Sequence, residues 1–412
     1  MGFLLELIVA LGERGGKWLL DRLRQLPPRY FYLGGSLLFL LTVAALYPRP
    51  FLVTTSFCRQ LLMAGMDRDA IPLRGSDSLA INELTVELGE FLYGGYVKNV
   101  ARPNGPADRA SAWETAQIAV ALNGLNLPGR QPIDPQKILT LFQSSRSPDC
   151  NCWKEYPLEG KERAHVGATA WVIFAKAKLG IAAEKEEIQF LLENQQRYSS
   201  WPTFPCRSPD SASTFATSWA IMALGEQERR GLITGDLAVE AVNAVSSGLI
   251  WLETNRQKNG LWSSHPTHQW APGVSYSNSG LATFVLHQYS KRSPSQADAV
   301  WMKSLPSRRP RAADHESFNG MICHEESMQR DSVRYLTFPW TLIASADAYS
   351  AGNLWKRRQA IALVQDIAQV RDNLVSEVAQ EYFVAAEALI ALRHLRERFL
   401  TTLPTAAADS PR

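Results

Sequence analysis

Six stretches of this 412-residue chain are apolar on nearly every side and align with one another. They are TAQIAVAL (115–122), TAWVIFAK (169–176), TSWAIMAL (217–224), SGLATFVL (279–286), PWTLIASA (339–346) and AAEALIAL (385–392). The first three match closely, the fourth and sixth moderately, the fifth weakly. Their starts lie 54, 48, 62, 60 and 46 residues apart, room for two helices and two loops per unit. A helix that is apolar all round is buried all round. Between these stretches run others with apolar residues on one helical face only: 135–146, 185–196, 237–256, 296–305 and 353–370. In KEEIQFLLENQQ (185–196), Ile188, Leu191 and Leu192 recur at helical spacing while charges take the other face. The pattern predicts an all-α fold of about six helix pairs, one buried and one half-exposed helix in each. Six pairs close naturally into a ring, an inner barrel wrapped by an outer one. An open solenoid would leave one side of the apolar helices in water.

Local signals support the alignment. Ser111, Ser213 and Ser275 each stand four residues before an apolar stretch, and Ser111-Ala112-Trp113-Glu114 has the form of a capping box. The first two columns are mostly small (Thr115-Ala116, Thr169-Ala170, Thr217-Ser218, Ser279-Gly280, Ala385-Ala386), which lets helices approach closely. A second pattern precedes two of the stretches. WLETNRQKNGLW (251–262) and FLLENQQRYSSW (190–201) share an aromatic followed by Leu, then Asn, Gln and a final Trp. Gly260 of the first is replaced by Ser199 in the second, and Trp153 stands where a third copy would end, without its glutamine. Gln196 and Gln257 suit a cap on a helix C-terminus, Gly260 a turn, and Trp201 and Trp262 packing between the two layers. That is a structural role.

On the Q-x-x-G-x-W motif, the roughly fifty-residue period and the inner stretches with A-T-A-W and A-T-S-W, the chain resembles the terpene cyclase and protein prenyltransferase repeat superfamily over about 77–397. The resemblance implies an α/α toroid. It implies no activity, because the same toroid also serves as a non-enzymatic binding body. Cyclases that protonate an alkene use a D-x-D-D motif, and this chain has no Asp-Asp pair; its one D-x-D, Asp67-Arg68-Asp69, precedes the repeats. The aspartate cluster that holds Mg²⁺ and diphosphate in other terpene synthases is missing too. Prenyltransferases hold zinc with an Asp and a Cys two apart plus a distant His. The nearest text here is Asp149-Cys150-Asn151-Cys152, in the second repeat.

A toroid gathers every loop that enters an inner helix at one end of the ring. Those loops hold Cys150, Cys152, His165, Cys206, His265, His268, His315, Cys323 and His324. Zinc, which takes four N or S ligands, is one reading of Cys150, Cys152, His165, Cys206 and Cys323. A disulfide from Cys150 or Cys152 to Cys206 is another, closing a loop of about 55 residues worth roughly 4 kcal/mol. Free structural thiols are a third. His165 also aligns with Ser111 and Ser213, which suits a cap. The polar insert HESFNGMICHEESMQRD (315–331) is either a solvated loop or an acid/base or metal cluster of Glu316, His324, Glu325 and Glu326. Column three of the apolar stretches reads Gln117, Trp171, Trp219, Leu281, Thr341 and Glu387. Gln117, Trp171 and Trp219 are candidates to line a central cavity. Glu387 joins His324 and Glu325 as a catalytic candidate, either buried with a raised pKa or reaching the mouth.

Composition adds limits. The chain is 46% hydrophobic with twelve tryptophans, enough for a large aromatic interior. Its 43 basic and 40 acidic residues give no reason to expect nucleic acid. Lys291–Arg311 is locally basic, a solvated loop or a contact for anions or lipid headgroups. Residues 31–47 carry no charge and reach the lower length of a membrane span, with tyrosines at both ends. Arg14, Lys17, Arg22, Arg24 and Arg29 precede that segment, which predicts a cytoplasmic N-terminus and an extracytoplasmic toroid. The organisation expected is an amphipathic segment (1–30), a transmembrane helix (31–47), a linker (48–76), the toroid (77–400) and a disordered tail (401–412). The function expected is binding of an apolar, isoprenoid-like molecule or a partner peptide at the central cavity. The alternative is a prenyl- or terpenoid-processing enzyme with a divergent, zinc-dependent site.

Overall fold

The computed structural model describes residues 48–66, 71, 75–100, 112–155, 163–205, 211–266, 273–290, 301, 314–323, 328–371, 374–375 and 381–399. The chain divides into two units, Met1–Leu62 and Met63–Arg412. The described part of the first unit is the N-terminal portion of α1 (Pro48–Met66). The expected linker 48–76 therefore contains a helix. The segments read as amphipathic (1–30), as a membrane span (31–47) and as a tail (401–412) lie outside the described residues. Among the described residues no helix is long and apolar enough to cross a membrane.

The second unit carries α2 (Gly75–Val100), α3 (Ala112–Leu122), α4 (Pro135–Ser145), α5 (Val166–Lys178), α6 (Lys185–Glu193), α7 (Thr214–Arg229), α8 (Gly235–Thr254), α9 (Tyr276–Tyr289), α10 (Phe338–Asp347), α11 (Leu354–Gln369) and α12 (Tyr382–Phe399). The fold is all-α in its bulk. All six apolar stretches are helices: α3, α5, α7, α9, α10 and α12. They pack in a cycle, α3 on α5, α5 on α7, α7 on α9, α9 on α10, α10 on α12 and α12 back on α3. Four of the five one-faced stretches are α4, α6, α8 and α11, and the fifth, 296–305, lies outside the described residues apart from Trp301. Each of these helices packs on a member of the cycle, and α2 packs on both α3 and α12. In α2 the buried set Ile81, Leu84, Leu88 and Leu92 keeps helical spacing along one face.

Small residues allow the closest approach in the cycle. A Cβ on Gly280 of α9 would stand 2.5–2.7 Å from the Trp340 carbonyl and the Thr341 nitrogen of α10. The helices α5 and α7 end alike. Ile181 N–H donates to Lys176 O and Leu232 N–H to Gln227 O, with Gly180 (φ 76°) and Gly231 (φ 64°) in the left-handed region.

The loops before α5, α7 and α9 repeat one set of hydrogen bonds around a tryptophan. Three tryptophans donate their indole N–H to a carbonyl in the last turn of the preceding helix: Trp153 to Phe142 (3.0 Å), Trp201 to Leu191 (2.7 Å) and Trp262 to Leu252 (2.7 Å). Their backbone N–H groups donate to hydroxyls on the following helix: Thr169 (3.1 Å), Thr217 (2.9 Å) and Ser279 (2.9 Å). Trp153 thus closes a true third copy. Two residues before each tryptophan the backbone is left-handed, at Asn151 (φ 53°), Ser199 (φ 67°) and Gly260 (φ 84°). The glutamine does a different job from the one expected. Gln196 is tied within the loop, Nε2 donating to Ser211 Oγ (2.7 Å) and Oε1 accepting from Ser200 Oγ (3.1 Å). The helix ends are capped by the neighbouring asparagines, Asn194 Nδ2 donating to Phe190 O (2.8 Å) and Asn255 Nδ2 to Trp251 O (3.0 Å). Asparagine suits this because its short amide reaches back one turn.

Short strand pairs frame these loops: β1 (Lys154–Glu155) with β2 (Arg163–Ala164), and β3 (Trp262–Ser263) with β4 (Val274–Ser275). The polar insert is neither an irregular loop nor a helix. It forms β5 (His315–Cys323) and β6 (Met328–Leu336), an antiparallel pair running from His315↔Leu336 to Cys323↔Met328. In this register Phe318 stands opposite Val333 and Glu316 opposite Tyr335.

The left-handed position gives a test. Gly260→Ala should cost about 1–2 kcal/mol, while Ser199→Gly should be neutral or stabilising by up to about 1 kcal/mol. Urea unfolding of both variants checks this. A silent Gly260→Ala would show that the loop tolerates another backbone conformation.

Candidate functional site

A cavity of about 280 Å³ lies among all six helices of the cycle. That volume would hold about nine waters at bulk density. Its apolar wall is Val120 of α3, Trp171 and Phe174 of α5, Met222 of α7, Phe284 of α9, Trp340 and Ile343 of α10, and Ile390 of α12. Its polar rim is Asn123, Lys178, Arg230, Arg393, His394 and Glu397. Asn123, Lys178, Arg230 and Glu397 follow or occupy the last turns of their helices, and Arg393 and His394 lie within the last two turns of α12, so the cavity opens toward the end where these helices finish. The loops entering the same helices lie at the opposite end.

One turn before Val120, Phe174, Met222 and Ile390 on the same helices stand Gln117, Trp171, Trp219 and Glu387. Of the expected lining residues, Trp171 lines the cavity, whereas Trp219 and Gln117 form the layer behind it. Trp219 packs on Trp171 with centroids 5.7 Å apart and on Trp113 at 6.2 Å. Gln117 Nε2 donates to Glu387 Oε1 over 3.4 Å. Glu387 is 4% exposed. Burial pushes its pKa from 4.5 up to about 8. The Trp340 indole offsets part of that rise without forming a hydrogen bond of good geometry. The buried alternative for Glu387 is therefore the one realised.

The rim is a set of paired charges. Glu226 of α7, almost fully buried, meets Lys178 Nζ (3.1 Å), Arg229 Nη2 (2.8 Å) and Arg230 Nε (2.7 Å). Burial alone would raise its pKa, but these cations hold it at about 2. Arg393 Nη1 donates to Ala121 O (2.6 Å), a carbonyl in the last turn of α3. Asp347 of α10, 2% exposed, faces His394 Nε2 through Oδ1 (2.8 Å) and His287 Nδ1 through Oδ2 (3.4 Å). Cations suit this end because helix C-termini carry partial negative charge.

The opposite end holds the other candidates, and the structure gives them structural work. His165 Nδ1 accepts from Ala168 N–H (2.8 Å), the cap role its alignment with Ser213 implies, and Ser213 Oγ accepts from Ala216 N–H (3.3 Å). Glu316 caps α9, accepting from Tyr276 N–H (2.7 Å), Ser277 N–H (3.2 Å) and Ser275 Oγ (2.7 Å). Cys150 and Cys152 are joined to each other, not to Cys206. The left-handed turn at Asn151 brings their Cα atoms to 5.1 Å, within the usual disulfide range. As a disulfide neither sulfur is the thiolate that zinc takes. Cys206, His268, His324 and Glu325 lie outside the described residues, and Cys323 ends β5. Among the described residues no three His, Cys, Asp or Glu side chains form a group that could hold a metal ion.

Sequence reasoning passed over Lys178, Arg230, Arg393, His394, Asp347, Phe174 and Phe284. A signal for the basic ones was present: Lys or Arg follows the apolar columns of α5, α7 and α12, at the helix C-terminus itself in α5 and α7, where cations meet the dipole. No family model and no curated protein matches the chain.

Glu387 makes stability depend on pH. The folded protein keeps this proton up to about pH 8 while the unfolded chain releases it near 4.5. Its contribution is fully present below pH 4.5 and is lost as pH rises to about 8. Glu387→Gln should match the wild type near pH 4.5 and exceed it at pH 9 by more than about 1 kcal/mol. Urea melts at the two pH values read the difference. Parallel pH profiles would mean that Glu387 is ionised in the folded state.

Proposed function

We propose that this chain is an α/α toroid, held at a membrane by its N-terminal segment, whose central cavity binds an apolar ligand of isoprenoid character. The observation that carries the reading is a cavity to which every helix of the packing cycle contributes. Such concave, mostly apolar sites with a few polar groups are where small molecules bind. Four aromatic rings, Trp171, Phe174, Phe284 and Trp340, supply the wall. The cyclic packing and the repeated tryptophan loops support the toroid and its resemblance to the terpene cyclase and prenyltransferase repeats. The uncharged stretch 31–47 supports the tether, and the arginines before it support an extracytoplasmic toroid.

Binding is favoured over turnover. The rim carboxylates are engaged by cations or histidines, and Glu387 is buried behind the wall. The enzymatic alternative rests on one feature, the Asp347–His394 pair, because a carboxylate that fixes one imidazole nitrogen leaves the other available for proton transfer.

Equilibrium dialysis of the full-length protein against farnesol, with detergent matched on both sides, tests the reading. Saturable uptake of one molecule per chain is expected. Ile390→Trp, which adds bulk inside the cavity, should weaken it at least about tenfold, a loss of ~1.4 kcal/mol. Val239→Trp on the exposed surface of α8 should change nothing. Uptake that never saturates, or that ignores Ile390→Trp, would rule the cavity out.

A further inference from the structure

One of the three tryptophan loops carries a bridge that the other two do without. Three residues before the tryptophan stand Cys150, Tyr198 and Asn259, and one residue before it Cys152, Ser200 and Leu261. All three loops turn through a left-handed residue between those positions. All three are closed by a backbone hydrogen bond as well. Ser147 N–H donates to Cys152 O (2.9 Å), Gln196 N–H to Ser200 O (2.8 Å) and Gln257 N–H to Leu261 O (2.9 Å). The first loop adds the Cys150–Cys152 disulfide, whereas the other two hold no cysteine at all. The bridge is therefore not what makes the turn. It joins residues only two apart, so it constrains the unfolded chain less than a long-range bridge does.

The turn sorts the two sulfurs. Its outer position is half-buried at Cys150 and exposed at Tyr198 and Asn259, while its inner position is buried in all three loops. Cys152 is 0% exposed. Pro148, Asp149 and Asn151 around Cys150 are exposed, so a flexible chain can approach this sulfur and not the other. One reachable sulfur in front of one shielded sulfur suits disulfide exchange, because the first takes an incoming thiolate and the second leaves. The reduced pair also fits the fold. A buried thiol behaves as a small hydrophobe, and Ser200 and Leu261 fill the place of Cys152 without any link. A disulfide whose reduced form is well accommodated is a ready oxidant.

We infer that Cys150–Cys152 is a thiol–disulfide exchange site that oxidises a pair of thiols on a flexible polypeptide. A substrate thiolate attacks Cys150 Sγ. The S–S bond breaks, and Cys152 leaves with its electron pair and takes a proton from water. The second substrate thiolate then attacks the substrate sulfur of the mixed disulfide, and Cys150 leaves and is protonated in turn. Two thiols become one disulfide, and the cysteine pair keeps the two electrons and two protons. The site lies at the opposite end of the helices from the cavity and does not depend on the cavity-binding reading.

A synthetic peptide with two reduced cysteines is the probe, mixed in excess with the full-length protein in detergent. Acid quenching, alkylation and mass mapping read each cysteine separately. One peptide disulfide per chain is expected, with label appearing at Cys150 and Cys152 while circular dichroism shows the protein still folded. The double variant Cys150→Ser/Cys152→Ser, which keeps Cys58, should oxidise no peptide. With oxidised glutathione, Cys152→Ser should capture glutathione at Cys150. Cys150→Ser should capture it at Cys152 at least about tenfold more slowly, since that thiol is shielded. The unbridged turns at 198–201 and 259–262 lead us to expect all three variants to fold; should any unfold, the wild-type reaction decides alone. A pair that resists the peptide until urea unfolds the protein would overturn the inference and leave a purely structural bridge. Equal capture at the two positions would overturn Cys150 as the sulfur attacked.

Discussion

Three times along this chain a tryptophan indole donates to the end of one helix while its own backbone N–H donates to a hydroxyl on the next. The side chain reaches outward and the backbone inward, so one residue fixes the separation and the angle between a half-exposed helix and a buried one. The hydroxyls involved, Thr169, Thr217 and Ser279, occupy the first column of the apolar stretches. That column serves twice, small enough for close packing and polar enough to anchor the loop. The left-handed residue two positions earlier is what turns the chain so that the tryptophan can reach both partners.

Successive loops are also bound to one another. Val166 N–H donates to Thr203 O and Thr214 N–H to Ser264 O, each joining the start of a buried helix to the loop of the following repeat. Glu316 does the same for α9 with a carboxylate. Backbone donors at the helix starts are therefore consumed by neighbours, and the histidine and cysteines that sit among them are consumed as well. An end built to satisfy helix N-termini has few groups left for chemistry.

The other end has the opposite problem. The helix ends there carry partial negative charge, and the chain answers with Lys178, Arg229, Arg230 and Arg393. Glu226 binds three of these cations into one cluster, and Asp347 gathers His287 and His394 into another. Between these clusters the side chains no longer meet at the centre, and a cavity remains. Its wall is largely aromatic, and Gln117 and Glu387 meet behind it.

The helices, their alternation and their order were legible in the sequence because burial on all sides or on one side leaves a periodic trace in composition. The tryptophan loops were legible because a repeated geometry demands repeated residues, although the cap expected of Gln196 is supplied by Asn194. The β5–β6 hairpin was not legible, since its pairing is between strands and leaves no helical or evenly alternating trace in either one. Nor was the end at which the cavity opens. Sequence shows which residues enter a helix and which leave it, and cysteine and histidine drew attention to the entries. Only packing decides where side chains from six helices fail to fill the centre. The burial of Glu387 and the pairing of the rim charges are decided in the same way, by distances between segments far apart in the chain.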